Sequence, residues 1–182
     1  MPFSTTPIQD LIVYEPTVWD DPRGYFFESY NKQTFSGQGI TAEFVQDNEA
    51  RSTFGILRGL HYQTGPYAQA KLVRVVEGEV LDVAVDIRPE SQTYGQWYSI
   101  RLSAENKRQL YVPRGFAHGY VVLSPTAVFC YKCDNFYSRD HEGGIRFDDP
   151  TLGIDWQIEH ADVLLSEKDT LQPAFGNHIP FS

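Results

Sequence analysis

From Val80 to Ile87 the chain reads Val-Leu-Asp-Val-Ala-Val-Asp-Ile, a run whose side chains sort with a period of two rather than 3.6. As a strand it places Leu81, Val83, Val85 and Ile87 on one face and Asp82, Ala84 and Asp86 on the other. Short runs rich in Val, Ile, Tyr and Phe recur between clusters of Gly, Pro, Asn and Asp, and long helical periodicity is absent. The pattern predicts an all-β sandwich or barrel. A length of 182 residues suits one domain, 1–182, with a core of its own. Residues 149–169 read as packed irregular segments with one short helix.

Two hairpins are expected. Lys71–Val76 leads through Glu77-Gly78-Glu79 into the strand at Val80, which reads as a tight hairpin turn. Gly119–Val122 and Ala127–Tyr131, joined by Leu123-Ser124-Pro125-Thr126, form the second. With that loop His118 falls directly across from Tyr131 on one face.

Fifteen Lys and Arg against 24 Asp and Glu give a net charge of −9, which repels a polyanion, so nucleic acid is not an expected partner. A small diphosphate is compatible with it, because a few Arg or Lys in one pocket suffice. No apolar run approaches the ~20 residues of a membrane span, and the N-terminus lacks a basic stretch followed by an apolar one. A cytoplasmic protein without membrane contact is expected. Cys130 and Cys133 form the one C-x-x-C, but residues three apart on a strand point to opposite faces, so two ordinary thiols are expected rather than a metal or redox pair.

Two segments resemble the paired motifs of the cupin superfamily, jelly-roll barrels that usually hold a metal. Pro113-Arg114-Gly115-Phe116-Ala117-His118 matches the second motif. In the first, Gly55 is followed by His61, but Gln63 stands where a second His is usual, and the expected Glu is missing around Ala70 and Lys71. Two imidazoles without a carboxylate, beside an ammonium, make a weak divalent site, so neither metal nor organic cofactor is expected. An unmetallated His61 is then free for acid or base work. Taken singly, each His could instead satisfy a hydrogen bond in the barrel wall.

Arg58-Gly59-Leu60-His61-Tyr62-Gln63 makes the resemblance specific. Together with Lys71–Val75, Asp82–Arg88, Pro113–Gly119, Tyr131-Lys132 and Leu165–Asp169, it is similar to the dTDP-4-dehydrorhamnose 3,5-epimerase family, in order and at compatible spacing from about Asp21 to Asp169. The resemblance implies a cupin-type jelly-roll homodimer that inverts C3 and C5 of a dTDP-linked 4-keto-6-deoxy sugar. At the matching positions His61 is the implied general base, Tyr131 the general acid and Asp169 the carboxylate that orients His61. Arg23, Glu28, Gln46, Asn48, Arg58, Lys71, His118, Glu142 and Lys168 fall where the family contacts substrate, and Tyr137 where an aromatic ring stacks on thymine.

The chemistry needs such groups. A C–H beside a ketone is acidic only because the carbanion becomes an enolate, which requires a base at carbon and a cation or donor at oxygen. His61 suits the first task and Lys71 or Arg58 the second. Inversion needs a proton from the opposite ring face, for which the Tyr131 phenol is suited. Arg58 has the opposite strand parity to His61, so both reach one pocket only where the strand bulges, which Gly55 and Gly59 permit.

Blander readings stand beside these. Ser166–Asp169 is also a helix-opening capping box. Tyr131 and Tyr137 could be ordinary strand aromatics, Arg23 a turn residue, and Lys132 an outward-facing one. Ala70, Asp148 and Gln157 depart from the family's usual Gly, Asn and Pro without removing a proton-transfer group. Alternatives in function are a mono-epimerase on a related sugar nucleotide, a non-catalytic nucleotide-sugar binding module, and a metal-dependent cupin enzyme, the last disfavoured by Gln63.

Overall fold

In the computed structural model, which describes residues 2–182, Gly78 alone separates one strand, ending at Glu77, from the next, beginning at Glu79. In chain order the strands are β1 (Phe3–Thr5), β2 (Ile12–Tyr14), β3 (Trp19–Asp21), β4 (Gly24–Phe26), β5 (Gln46–Thr53), β6 (Leu57–Gln63) and β7 (Lys71–Glu77). They continue as β8 (Glu79–Asp86), β9 (Trp97–Ser103), β10 (Gln109–Val112), β11 (Phe116–Val122), β12 (Thr126–Cys133) and β13 (Glu142–Gly144). Two short helices, α1 (Lys32–Ser36) and α2 (Glu167–Thr170), lie at the periphery. One sheet runs β1-β2-β10-β7-β12-β5 and the other β13-β6-β11-β8-β9, a cupin-type jelly roll. β3 and β4 form a separate hairpin.

Both expected hairpins are corrected by this topology. β7 pairs with β10 and β12, whereas β8 pairs with β11 and β9, so the chain changes sheets at Gly78. The corner demands glycine. Its φ is +72°, and a Cβ there would stand 1.9 Å from the Thr126 carbonyl oxygen. β11 and β12 likewise belong to opposite sheets. Residues 118 and 131 are therefore not a cross-strand pair: His118 pairs with His61 and Ala84, and Tyr131 with Asn48 and Val73. They line the same interior cavity from opposite sheets instead.

The alternation of β8 sorts as expected, and its apolar row faces outward from the sandwich. Leu81, Val83, Val85 and Ile87 pack under Ile145, Phe147, Leu152 and Trp156 of the C-terminal segment. Each such side chain removed from water contributes roughly 1.5–3 kcal/mol, so the irregular C-terminal third is anchored by this face. Val80 and Ala84 point the other way, into the space between the sheets, with Val73, Val75, Leu110, Phe116 and Phe129. Asp82 shares that inward parity. The strand thus delivers a fully buried carboxylate to the interior. On the outer face of the six-stranded sheet, Phe35 of α1 packs with Tyr14, Ile40 and Leu72.

Candidate active site

β6 and β11 run side by side in one sheet, with His61 opposite His118. β7 and β12 face them from the other sheet, with Lys71 opposite Cys133. Between them lies a cavity of about 550 Å³, whose walls include Arg58, His61, Lys71, His118, Tyr131, Lys168 and Asp169. A second cavity of about 340 Å³ shares His61, Lys71 and Tyr131 and adds Gln46, Asn48, Tyr137 and Glu142. The two hollows form a bipartite site with the proton-transfer candidates at the join.

Arg58 reaches this site by the expected irregularity. Between His118 and Tyr120 on β11, β6 supplies three steps against two, from His61 to Arg58, and the extra residue reverses the parity. Gly59 permits the crossing. Its φ is +148°, and a Cβ on it would come within 2.5 Å of Gly119 Cα.

Asp169 Oδ1 lies 2.5 Å from His61 Nε2. Burial acts to raise the Asp169 pKa, but the His61 hydrogen bond and charge, with the Ser166 hydroxyl, outweigh it and hold the carboxyl below the usual range. Both readings of Ser166–Asp169 hold at once. Ser166 Oγ caps α2 by accepting from the Asp169 amide at 3.2 Å, and the same hydroxyl donates to Asp169 Oδ2 at 2.9 Å. With Nε2 on the carboxylate, Nδ1 is the His61 nitrogen left to exchange a proton with a ligand.

Tyr131 is held as a neutral phenol: burial raises its pKa, the Cys133 side chain adds to the rise, and Arg58 opposes it. Burial pushes the Lys71 ammonium down, countered by Cys133, Asp82 and Glu142. Among the described residues Lys71 Nζ has no hydrogen-bond or ion-pair partner, which leaves a cation free to meet negative charge forming on a ligand. Glu142 is engaged twice. It accepts from Tyr137 Oη at 2.8 Å and from Lys168 Nζ, and these bonds outweigh the rise due to burial, leaving the carboxyl low.

Arg23 and Glu28 line neither cavity. Arg23 sits at the turn of the β3–β4 hairpin, exposed and paired with Asp21 (Nη2 to Oδ2 2.5 Å). Lys132 points away from the interior to Asp47 at 2.6 Å, and Cys130 and Cys133 are free thiols, as their strand parity predicts. Asp82 is a member that motif reading passed over: both its oxygens take His118 Nε2, at 3.0 and 2.9 Å. Its inward parity on a strand of otherwise buried residues was the available signal. Gln63, at the vacated ligand position, accepts from the Ser138 amide at 2.8 Å. Among the described residues no group of three or more His, Cys, Asp or Glu is arranged to hold a metal, and no helix is long and apolar enough to cross a membrane.

Comparison with known proteins places these features in context. Residues 5–177 match the family described as dTDP-4-dehydrorhamnose 3,5-epimerase. The enzyme of that name from Shigella flexneri is 55% identical over 165 residues, covering 90% of each chain. The crystal structure of the Elizabethkingia anophelis dTDP-4-dehydrorhamnose 3,5-epimerase superposes with a TM-score of 0.93 at 57% identity over 96% of both chains. The Legionella pneumophila dTDP-6-deoxy-D-glucose-3,5-epimerase, solved in complex with dTDP-4-keto-L-rhamnose, gives 0.93 at 48% identity over 96% of this chain and 93% of that one.

Proposed function

The chain belongs to the dTDP-4-dehydrorhamnose 3,5-epimerase family, and from that premise we propose how its cavity divides the work of inverting C3 and C5 of dTDP-4-dehydro-6-deoxy-D-glucose to give dTDP-4-dehydro-L-rhamnose. The enzyme is an isomerase, so nothing is oxidised or reduced: each centre loses a proton from one face and regains one on the other. The observation that carries the reading is the His61–Asp169 contact of 2.5 Å, set in a cavity that also holds Tyr131 and Lys71.

His61 Nδ1 takes the proton from carbon, and the C–H electron pair moves into the ring to form an enolate on O4. Asp169 accepts the hydrogen bond of Nε2–H, which stays on the ring, and stabilises the imidazolium that results. Lys71 stabilises the oxyanion, a preorganised contact worth most where water is excluded. Tyr131, kept protonated by burial, delivers a proton to the opposite face. No step of this scheme calls for a metal or an organic cofactor. In the second cavity Gln46, Asn48, Tyr137 and Glu142 hold the nucleotide, with Tyr137 stacked on thymine, and Lys168 joins them from the first cavity through its bond to Glu142.

The same reading includes a homodimer. Trp19, Tyr25 and Phe26 on the β3–β4 hairpin are 56%, 58% and 69% exposed, an apolar arm that a partner would cover. Such an arm would carry Arg23, with Glu28 just beyond it, to the partner's cavity. A cytoplasmic location belongs to the same proposal.

Proton NMR of the protein with dTDP-4-dehydro-6-deoxy-D-glucose in deuterated water tests the reading. Deuterium entering at both C3 and C5, with formation of the L-configured product, is expected. Exchange at one carbon alone would make the enzyme a mono-epimerase, and binding without exchange would make it a binding module.

A further inference from the structure

Two residues beyond His118, on the same inward face of β11, stands Tyr120, 5% exposed. Its ring stacks on Phe129 of the opposite sheet, with centroids 4.0 Å apart and planes 15° from parallel, and both rings line the larger cavity. A phenylalanine would make the same stacking and bury no polar atom.

The hydroxyl is the feature without an account. Among the described residues, Tyr120 Oη is the one buried side-chain nitrogen or oxygen that has no hydrogen-bond partner. A buried hydroxyl without a partner carries its whole desolvation cost, so its retention in a cavity wall points to a partner that arrives with the ligand. The surroundings are polar enough to orient one. Arg58 is in register with Tyr120 across β6, and its Nε donates to Ser52 Oγ at 3.1 Å. Burial raises the phenol's pKa, with Arg58 and the nearby Ser52 hydroxyl pulling the other way, so the group stays a protonated donor; Ser52 is close, but no hydrogen bond of ordinary geometry joins it to Tyr120 Oη.

We propose that the Tyr120 hydroxyl is a sugar-recognition group, hydrogen-bonding a ring hydroxyl of the 4-keto-6-deoxyhexose from the cavity floor, one step past His118. The proposal rests on the sugar-nucleotide reading above and adds a contact to it. Tyr120 lines the cavity that holds His118 and Tyr131 but not the second one, where Gln46, Asn48, Tyr137 and Glu142 gather. The contact therefore serves the sugar and not the nucleotide.

Tyr120→Phe separates the two. Calorimetric titration with dTDP-L-rhamnose, which lacks the ketone and does not react, should give a Kd raised roughly three- to tenfold, the range for one neutral hydrogen bond. The KM for dTDP-4-dehydro-6-deoxy-D-glucose should rise by a similar factor. The Kd for dTDP should be unchanged, and the Tm of the free protein should be equal to or above the wild-type value, because an unpartnered polar atom has been removed. Equal affinity of wild type and variant for dTDP-L-rhamnose overturns the proposal. Equal weakening for dTDP and dTDP-L-rhamnose overturns it too, and so does a lowered Tm, which would mean the hydroxyl is already bonded in the free protein. Failure of the wild type to exchange C3 and C5 protons would instead refute the epimerase reading, a result distinct from any of these.

Discussion

His61 and His118 stand opposite each other on adjacent strands, each with Nε2 on a carboxylate, yet the carboxylates arrive by different routes. Asp82 comes from β8, the next strand of the same sheet, where it is in register with Tyr120 and so diagonal to His118. Its pair is sealed, with side chains 6% and 0% exposed, and the imidazole nitrogen meets both oxygens. Asp169 comes from α2, 108 residues along the chain from His61. That pair makes one contact, keeps the second oxygen for Ser166, and leaves the His61 side chain 27% exposed at the cavity. Neighbouring strands thus hold a histidine in one orientation, whereas a separate helix leaves the ring open to a ligand. The first arrangement suits a fixed wall of the site and the second a group that gains and loses a proton in every turnover.

Variants that strike one side of the cavity sharpen the contrast. The largest effect short of losing the base is expected for Tyr131→Phe, which removes the proton donor facing His61. Inversion should fall by about 10²–10⁴-fold, the usual contribution of a positioned acid. Wash-in of solvent deuterium with retention should persist, because His61 can return a proton to the face it came from. Inversion of both centres at an unchanged rate would assign the donor elsewhere.

Next come the two carboxylates, which should respond differently. Asp169→Asn should slow epimerisation less than loss of His61 does, since the imidazole remains but is less well aimed, and dTDP binding should be kept. Asp82→Asn should register first as a loss of stability of roughly 1.5–3 kcal/mol, because a hydrogen bond to a buried charged group is weakened. Thermal unfolding of both variants beside their rates checks this. A variant pair with the effects exchanged would reverse the roles given to the two histidines.

Tyr137→Ala should weaken dTDP binding by about 1–3 kcal/mol through lost base stacking while leaving the chemical step little changed. An unchanged Kd would remove Tyr137 from the nucleotide site. The smallest effect expected is none: exhaustive chelation should leave the rate of exchange at both carbons as it was. Loss of activity restored by one particular divalent metal would break the proton-transfer account of the His61 side.

Much of this contrast was legible in the sequence, in a specific sense. Period-two alternation marked β8 and its two faces, and the spacing of motifs located His61, Tyr131 and Asp169, because side-chain parity and short motifs are local properties. Strand pairing is not local. A tight Gly-centred turn reads alike whether it closes a hairpin or carries the chain between sheets, and at Gly78 it does the latter. Hence the expected pairing of residues 118 and 131 fails: they line one cavity from opposite sheets. The motif positions of Arg23 and Glu28 point to substrate contact, while neither residue lines a cavity of its own chain. Tyr120 lay concealed in the apolar run Phe116–Val122, where only the packed structure reveals a hydroxyl without a partner.

The central claim is that His61, steered by Asp169, removes the protons at both C3 and C5. His61→Ala tests it most directly, with proton NMR of the variant and dTDP-4-dehydro-6-deoxy-D-glucose in deuterated water, and dTDP affinity measured on the same preparation. The account predicts that exchange at both carbons disappears while dTDP still binds with close to wild-type affinity. Near-normal exchange at either carbon would contradict it, since the base for that centre would then be some other group.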